Sequence, residues 1–209
     1  MFTIAFYNLD KPYGCFSNFA RFPIAVDGVN WPTSEHFFQA SKFLGKGDRQ
    51  DVRAARTPFA AAQIGRDRSR ILRPDWEQVC DDAMRAALAA KFAQHAELRD
   101  ILLSTGNCHL VEHTANDSHW GDGGDGSGAN RLGHLLMELR DSYPGLRAEF
   151  FPPPWVAFPK VEVSDLFWRM GGGEDYLAGS SSWRRRLPDG ARAEYDAYFP
   201  VPEAWARSW

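Results

Sequence analysis

Several large classes of protein are excluded by what this sequence lacks. Its cysteines, Cys15, Cys80 and Cys108, form no CxxC pair and leave one odd, which argues against a disulfide scaffold and for a reducing compartment. No apolar run approaches a membrane span, and the opening MFTIAFYNLD has neither a basic n-region nor a cleavage site, so a cytoplasmic chain with no membrane partner is expected. Neither sign of charge dominates. Lys and Arg number 24 against 27 Asp and Glu, and the net charge of −3 supplies no global pull toward nucleic acid. Any phosphate must be held by local basic groups. Repeats are also absent. What is abundant is aromatic: eight Trp and fifteen Phe. Such a load serves core packing, or a site that stacks on flat rings. At 209 residues the chain suits one sizeable domain, or a domain with an appendage.

The pattern along the chain predicts an α+β fold in which helix dominates. FTIAFYN reads as a short strand. In FPIAVDGVNW, Asp27-Gly28 between β-prone runs predicts a hairpin. Thr33 or Ser34 caps an opening helix that runs to about Gly45. Thr57 caps a second helix, with Pro58 at its first position and Gly65 as its stop. The longest helix is expected from Pro74 to about His95, with Trp76, Val79, Cys80, Ala83, Ala87 and Ala90 as its core stripe. A shorter helix ends at Gly106, HLVEHT follows as a strand, and ANRLGHLLMELRDSY is a further helix. The prolines of FFPPPWVAFPK rule out regular helix. Residues 1–145 are therefore expected to form one unit. Residues 146–209 read as a C-terminal extension with one short helix around ARAEYDAYF.

The opening helix, NWPTSEHFFQASKF, carries the main chemical signal. At about 100° per residue, Glu35, Gln39 and Lys42 fall within about 60° of one another, between Phe38 and Phe43. Phe37, Ala40 and Leu44 point the other way, toward the core. Such a seam is either a solvated face with a local contact to Glu35 or the wall of a pocket. In a pocket, a carboxylate beside apolar rings has a raised pKa suited to acid/base work. A lysine there is pushed toward a neutral, nucleophilic amine.

Other motifs are weaker. WGDGGDGSGAN contains a literal GxGxxG at Gly121, Gly123 and Gly126, but no apolar strand precedes it and no βαβ unit surrounds it. Its acidic residues also lack EF-hand spacing. What survives is a glycine run leading into a helix near Asn130, able to offer backbone N–H groups to phosphate or ribose, or else a plain surface turn. HLVEH, from His109 to His113, matches an inverted zinc-protease pattern. In a strand, however, its two histidines stand about 13 Å apart, too far for one metal. Cys15 with His36 as a thiol pair is less expected than a buried structural cysteine. Among the arginines, Arg66 directly after Gly65 is the first candidate for a phosphate.

Taken in order, YGCFSNF, DGVNWPTSEHFFQASKF, GR, DWEQVCDDAM, KFAQHAELRDILLSTG and LVEHTANDSHWGDGGDGSGANRLGHLLMELR resemble the NADAR, or YbiA-like, family over roughly residues 5 to 142. The resemblance implies a helix-rich α+β fold and N-glycosidase activity with no cofactor or metal. Some members are similar to enzymes that cleave phosphoribosylamino-pyrimidine intermediates of riboflavin synthesis. Others remove ADP-ribose from guanine in DNA or RNA, often beside an ADP-ribosyltransferase toxin. Carried over by motif, the catalytic candidates are Glu35, Lys42 and Asp117, and the substrate-binding candidates are Asn18, Trp76 and Trp120. Arg66, Gly121 and Asn130 join the binding set from the residues themselves. This sequence has Phe37 where Tyr is common and Ser41 where Gln is common. A non-catalytic ADP-ribose-binding module is the competing class, and such a reader has no need of a reactive Glu35–Lys42 seam.

Overall fold

The computed structural model describes residues 2–144 and 149–209. Strand β1 (Thr3–Phe6) opens the chain, and β2 (Ile24–Val26) and β3 (Val29–Trp31) form the expected hairpin. Both residues of its turn, Asp27 and Gly28, have positive φ, as a two-residue turn that follows strand twist requires. Then come α1 (Ser34–Ala40), α2 (Lys46–Ala54), α3 (Pro58–Arg66), α4 (Trp76–Gln94) and α5 (Ala96–Ser104). Strand β4 (His109–Glu112) pairs in parallel with β1, Phe6 opposite Glu112. Helix α6 (Arg131–Ser142) follows, and beyond the undescribed residues lie a single turn, α7 (Pro154–Ala157), then α8 (Gly171–Arg186) and α9 (Asp189–Tyr198). No helix among the described residues is long and apolar enough to cross a membrane.

Two apolar clusters organise these elements. One gathers β1, β4, α4, α5, α6 and the aromatics of the C-terminal region; the other gathers the hairpin, α1, α2 and α3. Helix α1 lies between them. Phe38 enters the first cluster, Phe37 and Ala40 the second, and all seven of its residues are buried. A helix apolar on more than one face is stable only where it is covered on more than one side. The polar seam of α1 is therefore no solvated face. Thr33 is its N-cap, accepting from the His36 amide. The helix ends at Ala40, short of Gly45, and Leu44 beyond it is exposed rather than in the core.

The C-terminal region packs into the same core as β1. Phe150, Trp183, Ala191, Tyr195 and Phe199 are buried there, and α9 lies against α5. The Tyr198 hydroxyl accepts from the Ala5 amide at 3.1 Å, covering a donor of β1 that β4 does not use. The expected boundary between residues 145 and 146 falls outside the described residues.

Three helices depart from the sequence expectation. In α2 only Val52 is buried, too little for a periodic signal. Helix α8 opens with three glycines and contains three serines, poor helix formers held by the packing of Trp183 and Ser180. The proline-rich run contains α7, whose Pro154 sits in the first turn, where a missing N–H costs nothing. In α4 the buried stripe is Met84, Ala87, Leu88, Lys91 and Phe92, displaced toward its C-terminal half. Its first turns line a cavity instead.

Candidate active site

That cavity measures about 630 Å³ and opens between α1, the start of α4 and the loop after β4. Seven of the nine sequence-predicted residues line it: Asn18, Glu35, Lys42, Arg66, Trp76, Asp117 and Trp120. Gly121 and Asn130 do not.

Glu35 is 4% exposed and held from two sides. Gln39 Nε2 donates to Oε1 at 2.6 Å, and Asn18 Nδ2 donates to Oε2 at 3.0 Å. Burial raises its pKa above the usual carboxylate range; the two amide donors, Lys42 and Arg66 act the other way without cancelling it. The i, i+4 spacing of Glu35 and Gln39 on one helix makes the first bond. The second depends on the loop around Asn18, which Lys91 secures. The fully buried Lys91 ammonium donates to Cys15 O at 2.5 Å and Ser17 O at 2.9 Å. Burial lowers its pKa to about 8. Nothing in the spacing of Lys91 distinguishes it from a solvated helix lysine, so the sequence carries no signal for this role.

Lys42 Nζ donates to Gly65 O at 3.2 Å and lies 5.7 Å from the ring centres of Phe38 and Trp76. Burial, aided by Arg66 and Arg68, lowers its pKa, while Glu35 pulls the other way. Gly65 is not the helix stop expected from sequence, because α3 continues to Arg66. It is a point of close approach: a Cβ there would lie 1.8 Å from Gln39 Oε1. Phe38 stands between Trp76 and Trp120, each 5.2 Å away by ring centres, so one wall is a row of three aromatics. Arg66 is exposed at the rim and has no ion pair or hydrogen bond among the described residues. It is a free guanidinium with the fork geometry that suits a phosphate.

The glycine loop corrects a second expectation. Most of its amides are used within the fold. Those of Gly123, Gly126, Gly128, Ala129 and Asn130 all donate to carbonyls of the same loop, and those of Arg131 and Leu132 to His119 and Trp120. Asp122 Oδ1 ties down the Thr114 and Gly124 amides, and Asp122 Oδ2 meets His113 Nδ1 at 2.7 Å. Burial works to raise the Asp122 pKa, but these bonds outweigh it and hold it low. Asn130 is a latch rather than a ligand-binding residue. Its Oδ1 accepts from the Glu112 amide at 3.0 Å and its Nδ2 donates to Leu110 O at 2.9 Å. Asp117 Oδ1 accepts from the His119 and Trp120 amides, both at 2.8 Å, and so sets the place of the Trp120 ring.

Glu112 also lines the cavity, and the sequence reading met it only as a letter in HLVEH. Strand alternation separates it from the two histidines: Leu110 and Glu112 point inward, His109 and His113 outward. Its pKa is raised to about 8 by burial, then by Asp117, Glu35 and Asp122. The only signal for it was a carboxylate at an inward strand position.

One other sequence reading receives an answer. His36 is bound by Thr33 Oγ1 at 2.8 Å and Ala55 O at 3.1 Å, and burial pushes the Cys15 thiol up to about 12, so the two make no nucleophile pair. Donor atoms of Cys80, Asp81 and His119 lie within 4.8 Å of one another at the rim, but Asp81 is already paired with Arg131 at 2.6 Å.

Comparison with known proteins places the fold in a family. Residues 5–143 match the NADAR domain. The chain is 59% identical over 138 residues to N-glycosidase YbiA of Escherichia coli, covering 66% of this chain and 86% of that one. It is 39% identical over 138 residues to a riboflavin biosynthesis protein of Vibrio vulnificus, covering 66% of this chain and 38% of that protein. The solution structure of E. coli YbiA superposes with a TM-score of 0.64 at 58% identity, covering 67% of this chain and 83% of the other.

Proposed function

Because the chain belongs to the NADAR family, whose similar members are hydrolases of N-glycosyl bonds, we propose that its cavity hydrolyses the ribosyl C1′–N bond of a phosphoribosylamino-pyrimidine. The observation that carries this is the meeting of Glu35 and Lys42 against the Phe38–Trp76–Trp120 wall, with Arg66 free at the rim. The aromatic wall takes the flat base. Arg66 takes a single 5′-phosphate. Glu35 supplies negative charge to the positive charge that develops at C1′ as the bond breaks, and serves as base toward the attacking water.

Lys42 is the candidate for a covalent route. A ribosylamine opens to a form whose C1′ is bound to nitrogen as an imine. The Lys42 amine adds to C1′ and the substrate amine departs with a proton, leaving C1′ doubly bonded to Nζ. Water then releases the open-chain sugar phosphate and restores the lysine. The lowered pKa of Lys42 enlarges its neutral fraction.

Support for a small substrate comes from the name of the Vibrio vulnificus relative and from the absence of excess positive charge. ADP-ribosylated guanine in nucleic acid is the second substrate to test, since the cavity of about 630 Å³ carries three aromatic side chains on one wall. The test incubates the protein and its Glu35→Gln variant with 5-amino-6-ribosylaminouracil 5′-phosphate and with a guanine-ADP-ribosylated oligonucleotide. Release of ribose 5-phosphate that the variant lacks is the expected result. Release of ADP-ribose alone reassigns the substrate. Release from neither, with ADP-ribose still bound, leaves a binding module and ends the catalytic reading. Borohydride trapping of a Lys42 adduct during turnover tests the covalent route.

A further inference from the structure

The two buried carboxyls in the cavity sit in opposite surroundings. Both oxygens of Glu35 accept hydrogen bonds from amide N–H groups. Those are donors, and donors suit the ionised form. The carboxyl of Glu112 has no hydrogen bond or ion pair among the described residues. The groups that bear on it are Glu35 from α1 and Asp117 and Asp122 from the loop, all carboxylates. Its backbone is pinned on both sides: the N–H by Asn130 Oδ1, the C=O by the Asp122 amide at 3.0 Å. It is a buried carboxyl held firmly in place, facing like charges, with a cavity before it.

Resting on the N-glycosidase reading, we propose that Glu112 is the proton donor to the departing nitrogen, and that Glu35 remains the carboxylate that serves the sugar and the water. A neutral amine leaves far more readily than its anion, so a neutral acid in the cavity is what the leaving side of the bond requires. Burial and the three neighbouring carboxylates keep Glu112 protonated at neutral pH. Its proton passes to the nitrogen as the C1′–N electron pair departs with that nitrogen. Water forms the new bond to C1′, and the proton it loses passes through Glu35 back to Glu112, which ends as it began. On the covalent route the same nitrogen leaves, so the same donor serves. Two carboxyls in unlike surroundings, one held by amide donors and one facing other carboxylates, are a recurrent way to divide acid and base work.

The test measures kcat and KM against pH for the unaltered protein, Glu112→Gln and Glu112→Asp, on whichever substrate the protein cleaves. It repeats this on ribosylamine 5′-phosphates whose leaving amines differ in basicity. The unaltered protein should lose kcat as pH rises through about 8. Glu112→Gln should lose about 10²–10⁴-fold in kcat with KM little changed, lose that alkaline limb, and depend more steeply on the leaving amine. Glu112→Asp should recover part of the rate and keep a limb. Retained ribose 5-phosphate binding and a cooperative melt show that the variants are folded. An unmoved alkaline limb, or an equal loss on every leaving amine, overturns the assignment. If the unaltered protein cleaves none of these substrates, the N-glycosidase reading itself fails, and the assignment falls with it.

Discussion

Glu112 should cost the fold stability at alkaline pH, which is measurable without any substrate. Its carboxyl titrates near 4.5 in the unfolded chain and at about 8 in the folded one. A raised pKa means that the folded state disfavours the charged form. The stability contributed by the neutral acid is complete below about pH 4.5 and is lost as pH climbs from there through about 8. The full displacement, at 1.36 kcal/mol per pH unit, has an upper value of about 5 kcal/mol. Water in the cavity and relaxation around the charge reduce this to about 1–3 kcal/mol. Glu112→Gln keeps the shape and removes the charge. For a chain of this size 1 kcal/mol is worth about 2–4 °C in Tm. The variant should therefore melt about 2–12 °C above the unaltered protein at pH 9 and within about 2 °C of it at pH 4.5. Scanning calorimetry at the two pH values decides it. A gap of equal size at both, or a variant less stable at pH 9, refutes the placement of a neutral acid at this position. The substitution that stabilises the fold is also the one expected to slow the reaction, as happens where a site holds a group against its own preference.

Gln39→Leu removes one charge-assisted hydrogen bond from Glu35, worth about 1.5–3 kcal/mol, and leaves burial less opposed. The acidic limb of the kcat profile should move upward by about one to two pH units; a drop in kcat with the limb unmoved would show that Glu35 is not the group behind it. Arg66→Ala should raise KM by about 10-fold or more for a phosphorylated substrate and do little to the same compound lacking its phosphate, as competition kinetics would reveal. Removal of the Thr33 cap by Thr33→Ala should lower stability by about 1 kcal/mol, read as a Tm lower by about 2–4 °C. Chains ended at Pro144 should fail to give a cooperative melt, since Phe150, Trp183, Tyr195 and Phe199 fill the core that β1 shares.

Much of the architecture was legible wherever a local rule sufficed. Asp27-Gly28 fits a tight turn whatever surrounds it. Thr57 and Pro58 mark a helix start because the cap and the missing donor act within one turn. The Glu35–Gln39 pair follows from helix periodicity alone, whereas Lys42 lies just past the end of α1 and is placed by its bond to Gly65 O; the motifs around them identify the family. Less legible were α2 and α8, whose helical state is decided by one buried valine in the first case and by Trp183 and Ser180 in the second. Periodicity can say that a face exists, but not how many sides will be covered.

By itself, then, the sequence determined the elements with strong local signals, the reactive seam and the membership of a family. The tertiary structure decided which polar groups lose water, and that is where the chemistry lies. Burial of Glu35 needs α1 to be covered from both clusters. The hold on its second oxygen needs a loop secured by a lysine 76 residues from Cys15. The glycine loop, which looks like a phosphate cradle in one dimension, spends most of its amides on its own carbonyls and on positioning β4. The raised pKa of Glu112 comes first from burial between β4 and the cavity, and then from Asp117 and Asp122 of the following loop and Glu35 of a helix 77 residues earlier. Desolvation and Coulomb interaction depend on distance in space, and a sequence specifies those distances only through the completed fold.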